Sequence, residues 1–275
     1  MIAHPLLAIL CGAGIGAILA LTGAGGGILA VPVLVFALGL NMTQAAPVAL
    51  LAVGLAAALG AGLGLRQGIV RYRAAGLIAV IGISMAPVGL YLAHRLPNEP
   101  LALLFSAVLL YVTLRMLRKA TRELRRGQPA ARPAFLPCVL NPVQGRLRWT
   151  LPCARAMALT GMLCGLLSGL LGVGGGFVII PALTRATDLE MKSIVATSLA
   201  VIALVSIGSV TTAAFNGLLL WGVALPFAGG SVFGLVVGQQ VASHLAGPRL
   251  QQGFALAGML AAVLLAMGAM GVRVG

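Results

Sequence analysis

The chain carries the same glycine-rich break twice. Gly23-Ala24-Gly25-Gly26-Gly27-Ile28-Leu29-Ala30-Val31-Pro32 recurs as Gly172-Val173-Gly174-Gly175-Gly176-Phe177-Val178-Ile179-Ile180-Pro181, and each copy interrupts a long apolar stretch. Residues without a side chain free the backbone to take left-handed angles and leave its amides open. Inside a bilayer such irregular backbone is tolerated only where protein covers it or where it lines a cavity. Any fold for this chain must therefore bury two interruptions, and their likeness predicts one shared role, a binding site.

The likeness extends well beyond the breaks. A shift of 149 positions aligns the two halves without a gap from Gly12 on Gly161 to Phe105 on Phe254, matching Gly16 with Gly165, Pro32 with Pro181, Met42 with Met191, Gly68 with Gly217 and Gly89 with Gly238. Matches at Gly and Pro reflect specific backbone demands, so they signal a duplicated unit rather than shared apolar composition. Each unit reads as a broken segment followed by three stretches of the roughly 20 apolar residues needed to span a bilayer. The broken segments run over 5–40 and 156–183; the spans are expected at 45–65, 74–93 and 100–117, and at 193–215, 222–243 and 250–271. The pieces beside the glycines are shorter, which predicts two half-length or strongly tilted arms of a hairpin.

With 60% hydrophobic and 8% charged residues, the chain reads as a polytopic membrane protein. A net charge of +14 raises nucleic acid as a partner, but no basic surface on a soluble fold accompanies it. Ten of the eighteen Lys and Arg fall between Arg115 and Arg155, which makes that stretch cytoplasmic. Counting outward from it puts the Asn98 loop outside, the Arg66, Arg71 and Arg73 loop inside, and the uncharged 41–44 loop outside. A single crossing over 156–183 would strand Arg185 and Lys192 outside, whereas a hairpin keeps them inside. Each half then crosses an odd number of times, and the halves insert upside down relative to each other with both termini outside. The expected fold is all-α, two inverted repeats each made of a Gly-broken hairpin plus three transmembrane helices. Its division is a first repeat over 1–114, a basic cytoplasmic linker over 115–155 and an inverted second repeat over 156–275. The apolar run Leu6 to Leu21 lacks a basic residue before it and is expected to be retained rather than cleaved.

The chemistry available is narrow. Glu99, Glu123, Asp188 and Glu190 are the only acids and all fall in loops, so a carboxylate pair, an Asp/Glu metal site and an intramembrane proton relay are not expected. His4, His94 and His244 stand at segment ends and do not converge as metal ligands. Neither an enzyme nor a cofactor is expected. Gly12-Ala13-Gly14-Ile15-Gly16-Ala17 spells a dinucleotide fingerprint without the strand and acid that one needs. Cys11, Cys138, Cys153 and Cys164 have no metal spacing and read as four thiols, since a cytoplasmic address would keep even Cys138 and Cys153 reduced. Glycines at spacing four, such as Gly12/Gly16, Gly60/Gly64, Gly161/Gly165 and Gly230/Gly234/Gly238, suit close helix packing within the bundle better than a homodimer contact.

The polar groups left in the membrane are neutral. Consecutive side-chain-free amides at a helix N-terminus form a concave donor site for an anion. The expected substrate site comprises Gly25, Gly26, Gly27, Gly174, Gly175 and Gly176, assisted by Thr22, Thr197, Ser198 and Gln239, with Pro32 and Pro181 structural. Most Ser and Thr in such spans bond their own helix carbonyls, and a glycine run also serves as a tight turn. Broken helices paired across inverted repeats are a recurring plan of secondary transporters.

The paired motifs GAGGGILAVPVL and GVGGGFVIIPAL, each opening one half around a basic central loop, resemble the TauE/SafE family of sulfite exporter-like permeases. That resemblance covers nearly the whole chain apart from 118–155. It implies a multi-pass transporter of a bacterial or archaeal inner membrane, associated with sulfite, sulfoacetate or other sulfur-containing organic anions, and it transfers to Gly25, Gly26, Gly27 and Pro32 and to Gly174, Gly175, Gly176 and Pro181. A small anion and membrane lipid are the expected partners. The rival readings are a scaffold whose 115–155 segment binds anionic lipid or a partner protein, and an anion channel.

Overall fold

A computed structural model describes residues 5–22, 27–126, 138, 140–141, 146–147, 150–245 and 248–270. The architecture is all-helical, with ten helices among the described residues. In chain order these are α1 (Pro5–Thr22), α2 (Ala30–Leu38), α3 (Met42–Arg66), α4 (Tyr72–Arg95), α5 (Asn98–Arg126), α6 (Leu151–Leu171), α7 (Gly176–Ala186), α8 (Met191–Phe215), α9 (Trp221–Leu245) and α10 (Pro248–Ala269). Seven of them, α3 to α6 and α8 to α10, are long and apolar enough to cross a membrane, while α1, α2 and α7 are shorter. The 149-residue shift carries Met42–Arg66 onto Met191–Phe215, so α3 and α8 begin and end at equivalent positions.

Local chemistry sets the ends. Asn41 and Gln44 close a capping box at the start of α3, and Asn98 from the α4–α5 turn accepts the Met42 amide at 3.1 Å. The turns after α3 and α8 are alike, with Gly68 at φ 69° and Gly217 at φ 67°, an angle that a side chain disfavours. Thr150 caps α6, and α6 ends on Gly172 at φ 72°. Beyond Arg115, α5 continues as helix to Arg126, and α6 starts at Leu151 ahead of the expected segment.

Between α5 and α6 lie two paired dipeptides, β1 (Leu140–Asn141) and β2 (Arg146–Leu147). Cys138 is joined to Cys153 by a disulfide, which corrects the expectation of four thiols; Cys11 and Cys164 remain free. The two cysteines are close enough in sequence to approach one another, but the cytoplasmic address argued for thiols and the spacing alone could not decide it. Cys138 is held by its amide donating to the Ala186 carbonyl at 3.0 Å, which pins it to the end of α7.

Close contacts at glycine reveal how the helices run. On α1 and α9, Gly12 faces Phe227 and Ser231, Gly16 faces Ser231 and Leu235, and Gly234 faces Ala13, so the two helices are parallel. On α4 and α6, Gly161 faces Ile78, Gly165 faces Gly82 and Gly169 faces Ala86, the same parallel arrangement between the equivalent helices with partners exchanged. At most of these positions a Cβ would strike the partner's backbone carbonyl, so these stripes serve packing within the bundle. The would-be dinucleotide fingerprint is part of this seam, since Gly12 and Gly16 lie in α1.

By contrast α3 and α8 are antiparallel, with Gly54 against Ser206, Gly60 against Leu199 and Gly64 against Ala196. Helices α5 and α10 are antiparallel too, Gly258 meeting Thr113 and Gln252 bonding Thr121 at 3.1 Å. Helix α9 runs with α3 (Ser231 to Ala52, Gln239 beside Gly60), and α4 runs with α8 (Arg71 to Thr197, Gly82 beside Val205). The bundle is thus two triples, α1/α3/α9 and α6/α8/α4, pointing in opposite directions. Burial ranks α8 at the centre and α10 at the rim, with 67% and 22% of their apolar windows buried. Large apolar side chains such as Leu10, Val80, Leu159 and Phe233 cover the outside, as lipid-facing helices require.

Candidate functional site

The hairpin arms α1–α2 and α6–α7 enter the bundle from opposite ends, because α1 runs with α9 and α6 runs with α4. Their tips are the two glycine breaks. A Cβ on Gly27 would lie 3.4 Å from the Val173 carbonyl oxygen and 3.0 Å from Val53 Cγ1. A Cβ on Gly174 would lie 2.9 Å from Ile202 Cγ2 and 3.6 Å from the same Val53 Cγ1. The tips therefore touch, with Val53 wedged against both. Val53 and Ile202 are equivalent under the 149-residue shift, and each is the twelfth residue of its 25-residue helix. The meeting point is at mid-depth of the two central helices.

The second break has an unusual backbone. Gly172, Gly174 and Gly175 all take positive φ, at 72°, 70° and 70°. Three such residues within four positions are open to glycine and strained for anything else. Gly175 also folds back onto Cys164, where a Cβ would overlap the Sγ, and Cys164 Sγ stands 4.0 Å from the Gly174 carbonyl. The α7 helix starts with the Val178 and Ile179 amides bonded to the Gly175 carbonyl. The amides of Val173, Gly174 and Gly175 find no acceptor among the described residues. They are open donors at the positive end of an 11-residue helix.

Of the residues expected at the site, Gly27, Gly174, Gly175 and Gly176 are buried at the meeting of the tips. Gly25 and Gly26 lie outside the described residues, and Thr22 ends α1 with its side chain outside them. Pro32 is buried in the first turn of α2 and Pro181 is half-buried in α7. Thr197 stands elsewhere: its hydroxyl accepts the Arg71 amide at 3.0 Å, while Ser193 on the same helix donates to the Ile69 carbonyl at 2.6 Å, so together they hold the α3–α4 turn. Ser198 bonds its own helix at the Val195 carbonyl, 2.8 Å away. Gln239 reaches across to α3, its Nε2 within 3.8 Å of a Cβ on Gly60.

Two groups that sequence reasoning left out of the site are Ser168 and Ser206, both buried and without a hydrogen-bond partner among the described residues. The other spanning hydroxyls bond carbonyls: Ser84, Ser106, Thr113, Thr160, Ser209, Thr211 and Thr212 on their own helices, and Ser231 also across to Ala52 at 3.0 Å. No group of three or more His, Cys, Asp or Glu is placed to hold a metal among the described residues.

The two hairpin tips thus meet at mid-depth among neutral side chains, α6 being both an arm of the second hairpin and one of the seven helices long enough to span. The family description "Sulfite exporter TauE/SafE" matches residues 8–265. The chain belongs to the TauE/SafE sulfite exporter family. A probable membrane transporter protein of Xylella fastidiosa strain Temecula1 is 31% identical over 234 residues, covering 84% of this chain and 82% of the relative. A protein of the same description from strain 9a5c is 30% identical over an equal span. No solved structure matches the chain significantly. Membership agrees with the multi-pass helical architecture and makes the protein a membrane transporter.

Proposed function

We propose that this protein exports a small anion, sulfite or an organosulfonate, across the bacterial or archaeal inner membrane, binding it between the two glycine breaks. The observation that carries this reading is the contact of the tips at Gly27 and Val173, flanked by Val53 and Ile202. The two halves insert as inverted repeats, a reading supported by the opposite directions of α3 and α8. The basic ends of α3, α5 and α7 and the starts of α4, α6 and α8 then face the cytoplasm. Arg95 falls at the other end, where it stacks over the Tyr91 ring at 5.0 Å. The chemistry is binding and release, with no catalytic step.

A site of amides and hydroxyls binds an anion weakly enough to let it go. A monovalent anion leaving a cell gains about 2.3 kcal/mol per 100 mV of inside-negative potential, so export needs no coupled ion. The test is sulfite and methanesulfonate flux in proteoliposomes under imposed potentials. Saturable flux that follows the potential supports the reading. Flux that never saturates would point to a channel, and none above protein-free vesicles would leave the scaffold reading.

A further inference from the structure

We propose that Ser168 and Ser206 are substrate ligands and that, with the amides of Val173, Gly174 and Gly175, they make a donor set in the second half that takes a singly charged oxyanion. This rests on the transport reading above.

The argument starts from the hydroxyls. A serine within a helix normally donates to the carbonyl three or four residues back, as Ser198 and Ser209 do here. Ser168 and Ser206 do not, although they are 0% and 2% exposed, so their hydrogen-bonding capacity is unspent in a place water does not reach. Both stand beside the second break. The Ser168 carbonyl accepts the Gly172 amide at 2.9 Å, and Cys164, one turn earlier on the same face of α6, packs against Gly175. Ser206 lies one turn beyond Ile202 on the same face of α8; Ile202 touches Gly174, and Ser206 is opposite Gly54, the neighbour of Val53. Two unpartnered hydroxyls thus stand one turn from Cys164 and Ile202, the side chains that touch the second break, whose three amides are open, and all five groups are donors.

Their equivalents in the first half are Leu19 and Ala57, which donate nothing. The described side chains that meet the breaks, Val53, Cys164, Val173 and Ile202, carry no fixed charge. The cost of moving an ion out of water grows with the square of its charge, and neutral dipoles recover it more fully for one charge than for two. A neutral donor set of this kind therefore takes a monoanion, hydrogen sulfite or a sulfonate, in preference to the sulfite dianion or sulfate. Hydrogen sulfite loses its proton near neutral pH, whereas a sulfonate is singly charged throughout. The titratable side chain that faces the break is the Cys164 thiol of α6; α3, α7 and α8 present none there among the described residues.

The experiment measures initial efflux of sulfite and of methanesulfonate from proteoliposomes across neutral pH, corrected for protein-free vesicles, with the wild-type chain and with Ser168→Ala and Ser206→Ala. The expected result is sulfite flux that rises as pH falls in step with the hydrogen sulfite share, and methanesulfonate flux that stays level. Each alanine variant raises KM for both anions about tenfold, the effect of losing one hydrogen bond to a charged group. Ser168→Cys and Ser206→Cys, which keep the volume, should lie between alanine and wild type if an alanine variant proves unstable. Sulfite flux that follows the dianion, or an unchanged KM in stable serine variants of an active transporter, would overturn this inference alone. Absence of flux for both anions in the wild type would instead overturn the transport reading.

Discussion

The two halves share a backbone plan and differ in what they present at the centre. Helices α3 and α8 are 25 residues each and occupy equivalent places, yet α8 carries seven Ser and Thr while α3 carries only Thr43, near its first turn. At the tips, Leu19 and Ala57 of the first half stand where the second half has Ser168 and Ser206. The backbone plan of hairpins meeting at mid-depth is shared, while the unpartnered hydroxyls described beside the tips belong to the second half.

The strongest way to break that comparison is at the backbone. Gly175→Ala and Gly39→Ala both put a Cβ on a residue of similar positive φ, 70° and 65°, but Gly175 is packed against Cys164 whereas nothing lies near Gly39. Gly175→Ala is expected to abolish efflux, and Gly39→Ala to cost about 1–2 kcal/mol of backbone strain with transport retained. Efflux assays beside thermal unfolding in detergent separate the two.

Next come the parallel seams. Gly16→Leu would force α1 from α9, and Gly165→Leu would force α4 from α6, since each glycine meets a backbone carbonyl. Both variants should yield little monodisperse protein on size exclusion, and similar losses would support equal structural roles for the halves. A smaller effect is expected at Ser231, whose hydroxyl ties α9 to the Ala52 carbonyl. Ser231→Ala should destabilise by about 0.6 kcal/mol, the average for hydrogen bonds between membrane helices, read as a small fall in Tm. The smallest effect is on transport itself: replacing Arg122, Arg125 and Arg126 together with Gln should leave efflux unchanged in reconstituted vesicles. A large loss there, with Gly175→Ala harmless, would move the anion site from the breaks to the basic segment.

Much of the fold was legible because Gly and Pro state their backbone demands openly. The all-helical plan and the three spans per half followed from apolar run lengths, whereas α6, expected as a half-length or tilted arm, is a 21-residue helix long enough to span. The site was legible only in part. Sequence named the glycine tips but could not rank the hydroxyls, since a serine that bonds its own helix and one that bonds nothing look alike until the partners are in place. Thr197 illustrates the difficulty: it sits in a polar run on a central helix, yet tertiary structure gives it to the Arg71 amide. The Cys138–Cys153 bond was set aside for a different reason, the cytoplasmic address read from the Arg-rich stretch, although the two residues lie only 15 positions apart.

The most direct measurement is an anomalous-scattering map of crystals grown with selenite, a heavier relative of sulfite. The expected result is a selenium peak between Gly27 and Gly174, near the hydroxyls of Ser168 and Ser206, and reduced when both serines are alanine. A peak confined to the basic cytoplasmic surface, with Val53 and Ile202 sealing the tips from any anion, would contradict a site at the junction of the two breaks.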